Sequence, residues 1–147
     1  MTHPSGSPII IVVGRLLTPF IQIFGLYVIF HGHYGPGGGF QGGAVLAASF
    51  LLMRLCVGEQ TSQLLFRRSR GTPTGIAGAC IFFGVGLLAL FFGGQFLDYR
   101  FLPLEGQPLA QLRSMGILCI EIGIGIAVAA TLVAIFDDLL LSGGDDV

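Results

Sequence analysis

Three side chains in this sequence can bind protons or cations within or beside apolar segments. Glu121 lies inside the stretch GILCIEIGIGIAVAA, where it is the only charged residue. A carboxylate at the centre of a membrane helix costs about 2.5–3.5 kcal/mol on insertion scales, so such residues face other helices or water and often mark ion pathways. His31 and His33 flank a glycine-rich loop, and histidine can take up or pass protons near neutral pH. All three are therefore candidate ion-path residues.

Glu121 is in register with small residues on its own segment. Gly125 and Ala129 follow it at intervals of four, which places all three on one face of a helix. Small residues let helix backbones approach closely in lipid, so we expect Glu121 to point at another helix. Two roles remain open here: a protonated carboxyl that hydrogen-bonds across a helix interface, and a group that exchanges a proton for a cation. The same spacing recurs at Gly43 and Ala47, Ala44 and Ala48, Gly75 and Ala79, and Gly123 and Ala127.

The most distinctive stretch is HGHYGPGGGFQGG, residues 31–43. Its glycines and proline predict a tight turn, with Pro36 suited to the first turn of the next helix. One interpretation is a compact hairpin whose glycines admit a neighbouring backbone. Another is the mouth of an ion path, where the two histidines lie beside the free amides of a helix N-terminus. A phosphate site fits less well, since GPGGG lacks the preceding strand and the Lys-Ser/Thr pair of a P-loop.

Hydropathy predicts the elements that position these residues. Mean hydropathy is +0.86, and 10% of residues are charged, against about 25% in soluble domains. Four apolar segments, approximately residues 8–30, 40–57, 74–97 and 115–141, have about the length needed to cross a bilayer. Each is predicted to be a helix, because backbone groups in lipid must be paired within the segment. The expected fold is one all-α integral membrane domain with four transmembrane helices over residues 1–147.

Composition argues against several function classes. The formal net charge is −1 and no basic patch is evident, so no nucleic-acid partner is expected. Cys56, Cys80 and Cys119 lack CxxC spacing and lie in or beside apolar segments, which is typical of small hydrophobic residues. No nucleophile, metal cluster or acid–base pair has usable spacing. We therefore predict no enzyme activity, no metal site and no cofactor.

Arginine placement predicts the orientation, since the chain contains no lysine. Arg67, Arg68 and Arg70 lie in the second loop, and Arg54 precedes it. The positive-inside rule places this loop in the cytoplasm, so both termini are expected there as well. Glu121 and the two histidines then lie toward the outer side, where we expect one polar cluster.

Arg15 and Asp137 are candidates for a structural ion pair in the cytoplasmic half. Pairing would offset the burial of both charges. Equally, Arg15 can extend its side chain to lipid phosphates.

Two segments carry a resemblance to a known family. The run RLLTPFIQIFGLYVIFHGHYGPGGGFQGGAVLAASFLL, Arg15 to Leu52, closely resembles the B subunit of multisubunit sodium/proton antiporters of the Mrp or Mnh type. Ser114 to Phe136 resembles the last helix of the same family, including its intramembrane glutamate. The pattern HGHxxPGGGFxGG is the most specific part. By this resemblance, the signature loop is Pro36, Gly37, Gly38, Gly39 and Phe40, flanked by His31 and His33, and the membrane carboxylate is Glu121.

The resemblance implies a small multi-pass subunit in the cytoplasmic membrane of a prokaryote. Its expected partners are membrane lipid, Na+ and H+, and other antiporter subunits, including large ones similar to those of respiratory complex I. The same type of domain occurs in membrane-bound hydrogenases, so a subunit of a redox-driven ion-pumping complex is the alternative. An independent four-helix transporter is a third possibility. Co-purified subunits, redox genes nearby, or ion flux through the purified chain would distinguish the three.

Overall fold

The computed structural model describes residues 7–32, 37–58, 66–103, 106 and 108–142. In these ranges four helices are long and apolar enough to cross a membrane, and there is no strand. This confirms the predicted all-α membrane fold. The long helices are α1 (Pro8–His31), α2 (Gly39–Val57), α3 (Gly71–Phe91) and α4 (Leu109–Ser142), and short 3-10 turns occupy Arg68–Arg70 and Tyr99–Phe101.

The bounds of α1 and α2 agree with the hydropathy prediction to within one residue, whereas α3 ends at Phe91 and not near residue 97. Two glycines terminate α3. Gly93 has φ +85°, and the Gly94 amide donates to the carbonyl oxygen of Ala89 at 2.9 Å. This is a glycine-based helix end, and it is invisible to hydropathy because apolar residues continue on both sides of it.

The last helix begins earlier than hydropathy predicts, at Leu109 and not near residue 115. The backbone amides of Gln111 and Leu112 bond to the carbonyl oxygen of Pro108, which starts the first turn. With 34 residues, α4 is about 51 Å long, well beyond the ~30 Å hydrocarbon core. Its polar first turns therefore continue the apolar span as one helix, and Glu121 lies about 18 Å along it.

The helices lie side by side in the order α1, α2, α4, α3, and α1 also contacts α4. No contact joins the described residues of α1 to those of α3. The result is an open layer with α1 and α3 at its edges. Both edge helices expose large apolar side chains, such as Phe20 on α1 and Phe91 on α3. In a membrane, such surfaces face lipid or neighbouring subunits.

Small residues line the contacts between helices of this chain. A Cβ added to Gly43 of α2 would lie 2.6 Å from the carbonyl oxygen of Gly125 on α4. Likewise, a Cβ on Gly78 of α3 would lie 2.6 Å from the carbonyl oxygen of Gly123. Since both distances are too short for a real Cβ, the rows of small residues serve the close packing of α4 on its neighbours.

Candidate functional site

Glu121 lies against the N-terminus of α2. The backbone amide of Gly39 donates a hydrogen bond to Glu121 Oε2, and the glutamate is half-buried. The carboxyl therefore faces another helix, as its row of small residues predicted. The first amides of a helix have no partner within it and form the positive end of its dipole, so α2 stabilises a negative charge at this point.

The glycines of the signature loop make this approach possible. Gly38 has φ +132°, a conformation that side chains rarely adopt. A Cβ at Gly38 would also lie 2.8 Å from Glu121 Oε1, and one at Gly39 would lie 2.9 Å from Ile124 Cβ. Larger residues would therefore push α2 away from α4. The loop glycines and Glu121, more than 80 residues apart, form one structural unit.

The other members of the signature loop have different environments. Gly37 is half-buried, whereas the Phe40 side chain is 68% exposed and so available to lipid or another subunit. Pro36 and His33 lie outside the described residues. Their expected contributions stay predictions.

His31 ends α1 at the same end of the molecule as Glu121. Its ring stacks on Tyr27, with centroids 4.1 Å apart, and its Nδ1 lies 3.1 Å from the Tyr27 carbonyl oxygen. The imidazole is exposed. Gly32, the next residue, approaches the carboxyl closely, since a Cβ there would lie 3.4 Å from Glu121 Cδ. The structure thus brings the end of α1 beside Glu121, while the imidazole itself contacts Tyr27.

Sequence reasoning missed Tyr99, which lies in a loop without a recognisable motif. Its ring packs on the backbone of α4: a Cβ on Gly116 would lie 2.9 Å from Tyr99 Cγ. Burial, and secondarily the charge of Glu121, raise the pKa of the Tyr99 phenol above its ordinary value. Tyr99 therefore stays neutral at physiological pH. The sequence held no usable signal for it, because its position depends on how the loop folds back.

A second carboxylate on α4, Asp137, is buried at the opposite end of the helix. Its Oδ2 is 2.7 Å from Arg54 Nη2, and the two side chains are 1% and 2% exposed. Arg54 also donates to the carbonyl oxygen of Phe66 at 3.1 Å. Asp137 therefore pairs with Arg54 and not with its candidate partner Arg15, which is exposed on α1. The reason is the helix order: α2 lies between α1 and α4, and its last turn brings Arg54 to Asp137.

An exposed ion pair adjoins this buried one. Arg68 Nη2 is 2.7 Å from Asp138 Oδ1, with side chains 30% and 73% exposed. Solvent-exposed pairs contribute little stability. Together the two ion pairs connect α2, the 3-10 turn before α3 and the end of α4. Of the two, the buried Arg54–Asp137 pair is the one expected to matter for helix packing.

Within the described ranges, no group of three or more His, Cys, Asp or Glu side chains is placed to hold a metal ion. Cys56 is buried, while Cys80 and Cys119 are exposed. Gly14 of α1 packs directly on Cys56, since a Cβ there would lie 2.6 Å from its Sγ. Cys56 thus acts as a small packing residue between α1 and α2.

Comparison with known proteins identifies the family. The family described as "Domain related to MnhB subunit of Na+/H+ antiporter" matches residues 9–134. A protein of Staphylococcus haemolyticus (strain JCSC1435) named "Putative antiporter subunit mnhB2" is 34% identical over 134 residues, which cover 90% of this chain and 92% of the relative. A protein of the same name from Staphylococcus aureus (strain Newman) is 34% identical over 137 residues, with the same coverage. The chain belongs to the MnhB family and is a multi-pass protein of the cell membrane.

Proposed function

We propose that this chain is the B-type membrane subunit of a multisubunit Na+/H+ antiporter, in which Glu121 binds H+ and Na+ in alternation. The observation that carries the proposal is the position of Glu121, inside the helix packing and against the Gly39 amide. A carboxyl held there can be neutralised by a proton or balanced by a cation. Because the two compete for one site, uptake of one releases the other, as exchange requires.

The proposed orientation sets the direction of access. Both termini lie in the cytoplasm, by the arginines of the second loop. The helix α4 then starts on the outer side, and Glu121 is reached from there. His31 lies at this outer entrance to Glu121, and its exposed imidazole is of the type that can take up a proton. His33, outside the described residues, is assigned to the same mouth.

The proposed role is a contribution to a larger assembly. The exposed apolar faces of α1 and α3 offer surface to neighbouring subunits, including large ones similar to complex I subunits, which carry the main proton path. The chain is a transporter component and not an enzyme. The names of the relatives favour the antiporter over a redox-driven complex, and the genes that flank the coding sequence provide an independent check.

Glu121→Gln in the assembled complex tests the role of the carboxyl. The amide keeps the size and an acceptor for Gly39 but cannot exchange H+ for Na+, so the complex should assemble while the rate of Na+/H+ exchange falls roughly tenfold or more. Exchange is measured in everted membrane vesicles with a pH-sensitive dye, normalised to the amount of complex.

Asp138→Asn is the matched control, because it makes the same chemical change at an exposed carboxylate of the same helix. It should exchange at the normal rate. Normal exchange by Glu121→Gln in a normal amount of complex would show that Glu121 serves only in packing.

A further inference from the structure

The turn that leads into α3 carries three arginines, and only one of them is paired within the described ranges. Arg68 lies 2.7 Å from the carboxylate of Asp138. Arg67 and Arg70 are both exposed, and neither belongs to an ion pair of the described residues. Two positive charges are therefore left on this turn without a counter-charge from the parts of the chain that the structure describes.

The backbone of the turn keeps these two arginines close together. The amide of Arg70 donates to the carbonyl oxygen of Arg67 at 2.9 Å, and the two ends of such a turn have Cα atoms less than about 7 Å apart. In a 3-10 helix, side chains three residues apart also lie above one another. The two guanidinium groups can therefore reach one ligand, whereas Arg68, between them, is held toward α4 by its pair with Asp138.

Contacts on both sides fix the position of the turn. Before it, the carbonyl oxygen of Phe66 accepts from Arg54 Nη2 at 3.1 Å, and the ring centroids of Phe66 and Phe50 are 5.6 Å apart. After it, Gly71 packs on α4, since a Cβ there would lie 3.0 Å from Ala134 Cβ. The arginine pair is therefore carried by packed helices, which lowers the entropic cost of binding a ligand.

The arginine pair lies where the apolar surface of α3 begins. Ile76 is 59% exposed and follows Arg70 by six residues, about 9 Å along the helix. The polar headgroup layer is about 5–8 Å thick on each side of the hydrocarbon core. With Ile76 in hydrocarbon, the two guanidinium groups lie at the depth of the lipid phosphates. This depth favours a lipid phosphate over an acidic protein segment in the cytoplasm.

We propose that Arg67 and Arg70 form a binding site for the phosphate group of an anionic phospholipid in the cytoplasmic leaflet. Arginine presents a planar fork of donors that fits phosphate oxygens, and the anionic lipids of this leaflet attract basic residues at its surface. The site would hold one lipid against the exposed edge of α3. This inference rests on the proposed orientation, with the turn in the cytoplasm, and is independent of ion exchange at Glu121.

Arg67→Gln combined with Arg70→Gln tests the site in the assembled complex. Because this double variant lacks both charges and both donor forks, its affinity for phosphatidylglycerol should fall roughly tenfold or more. It should then retain one phosphatidylglycerol fewer per copy of this chain. Native mass spectrometry of the detergent-purified complex, titrated with phosphatidylglycerol, counts the retained lipid. Phosphatidylcholine, which carries a phosphate but no net charge, should bind weakly with or without the substitutions.

Arg68→Gln combined with Asp138→Asn is the matched control, because it removes an arginine of the same turn and leaves the net charge unchanged. This control should bind phosphatidylglycerol normally. Undiminished lipid retention after loss of both Arg67 and Arg70 would overturn the site. Loss of a neighbouring subunit with normal lipid retention would also overturn it, and would assign the two arginines to an acidic protein surface.

The count of retained lipid separates this inference from the exchange proposed for Glu121. Glu121→Gln changes no group at this end of the molecule, so its complex should retain phosphatidylglycerol normally even when exchange is lost. A loss of lipid from the Arg67→Gln, Arg70→Gln complex would establish the site whether or not Glu121 exchanges ions. Full lipid retention by that complex would leave the role of Glu121 intact.

Discussion

Glu121 and Asp137 are both carboxylates on α4, and both meet α2, yet their partners differ. They are separated by 16 residues, about 24 Å along the helix. At one end, Asp137 lies 2.7 Å from the guanidinium of Arg54, and both are almost fully buried. At the other end, the half-buried Glu121 accepts from the backbone amide of Gly39.

The difference between a charged and a neutral partner separates a structural carboxylate from an exchangeable one. A buried ion pair is held in its charge state, since neutralising one partner leaves a full opposite charge in a poorly solvated site. A helix N-terminus stabilises an anion by partial charges only. Protonation of Glu121 therefore strands no buried cation. The Arg54–Asp137 pair suits assembly, and the Glu121 site suits exchange.

Replacing each carboxylate by its amide should distinguish the structural role of Asp137 from the exchange role of Glu121 most clearly. Asp137→Asn removes the negative charge that balances Arg54 and should cost about 3–5 kcal/mol, whereas Glu121→Gln keeps an acceptor for Gly39 and should cost about 1 kcal/mol or less. Thermal dissociation of the complex in detergent, with complex yield from membranes, measures both. Replacing the pair together, as Arg54→Met with Asp137→Leu, should recover most of the loss. Equal stability of the two amide variants would remove the distinction.

Gly39→Ala tests whether the Glu121 end depends on close backbone approach. Overpacking of a tight contact costs about 1–3 kcal/mol, so both complex stability and Na+/H+ exchange should fall as α2 moves from α4. Gly84→Ala is the control, because a Cβ on this α3 glycine would meet nothing within 4 Å. It should be neutral or slightly stabilising, since alanine favours helix. Normal behaviour of Gly39→Ala would mean that the loop glycines are not needed for this contact.

The smallest effect is expected at Tyr99. Because the charge of Glu121 contributes to the raised pKa of Tyr99, Glu121→Gln should lower this pKa toward the ordinary tyrosine value, and burial, the larger cause, should keep it above that value. Tyrosinate absorbance in a Tyr27→Phe, Tyr34→Phe background measures Tyr99 alone, as the chain has three tyrosines. An unchanged titration curve would show that Glu121 does not act electrostatically on Tyr99.

The accuracy of the sequence-based helix predictions follows from what hydropathy measures. It located α1 and α2 well because their apolar runs end at polar or glycine-rich breaks. It placed the end of α3 too late, since the Gly93–Gly94 turn lies within an apolar run. It also placed the start of α4 too late, because a polar turn continued the helix. Hydropathy reports the solvent a segment prefers and not where its hydrogen-bond ladder stops.

The candidate site likewise has one part that the sequence predicted and another that it did not. The small residues spaced from Glu121 predicted that it faces another helix, because helical periodicity is a local property. The contact with Gly39, the ring of Tyr99 on Gly116 and the pairing of Asp137 with Arg54 were not predictable from spacing. Each joins segments far apart in the sequence, and a shift of one turn between two helices would change every partner.

By itself, the sequence determined that four segments prefer lipid and that the fourth carries an acidic residue, Glu121, well inside its apolar run. It also determined that a glycine-rich loop precedes the second segment. These are matters of local composition and helical period. The tertiary structure alone decided which group each of the two carboxylates, Glu121 and Asp137, contacts. The physical reason is that small residues along α2 and α4 fix how the two helices align, and this alignment brings one carboxylate to a backbone amide and the other to an arginine.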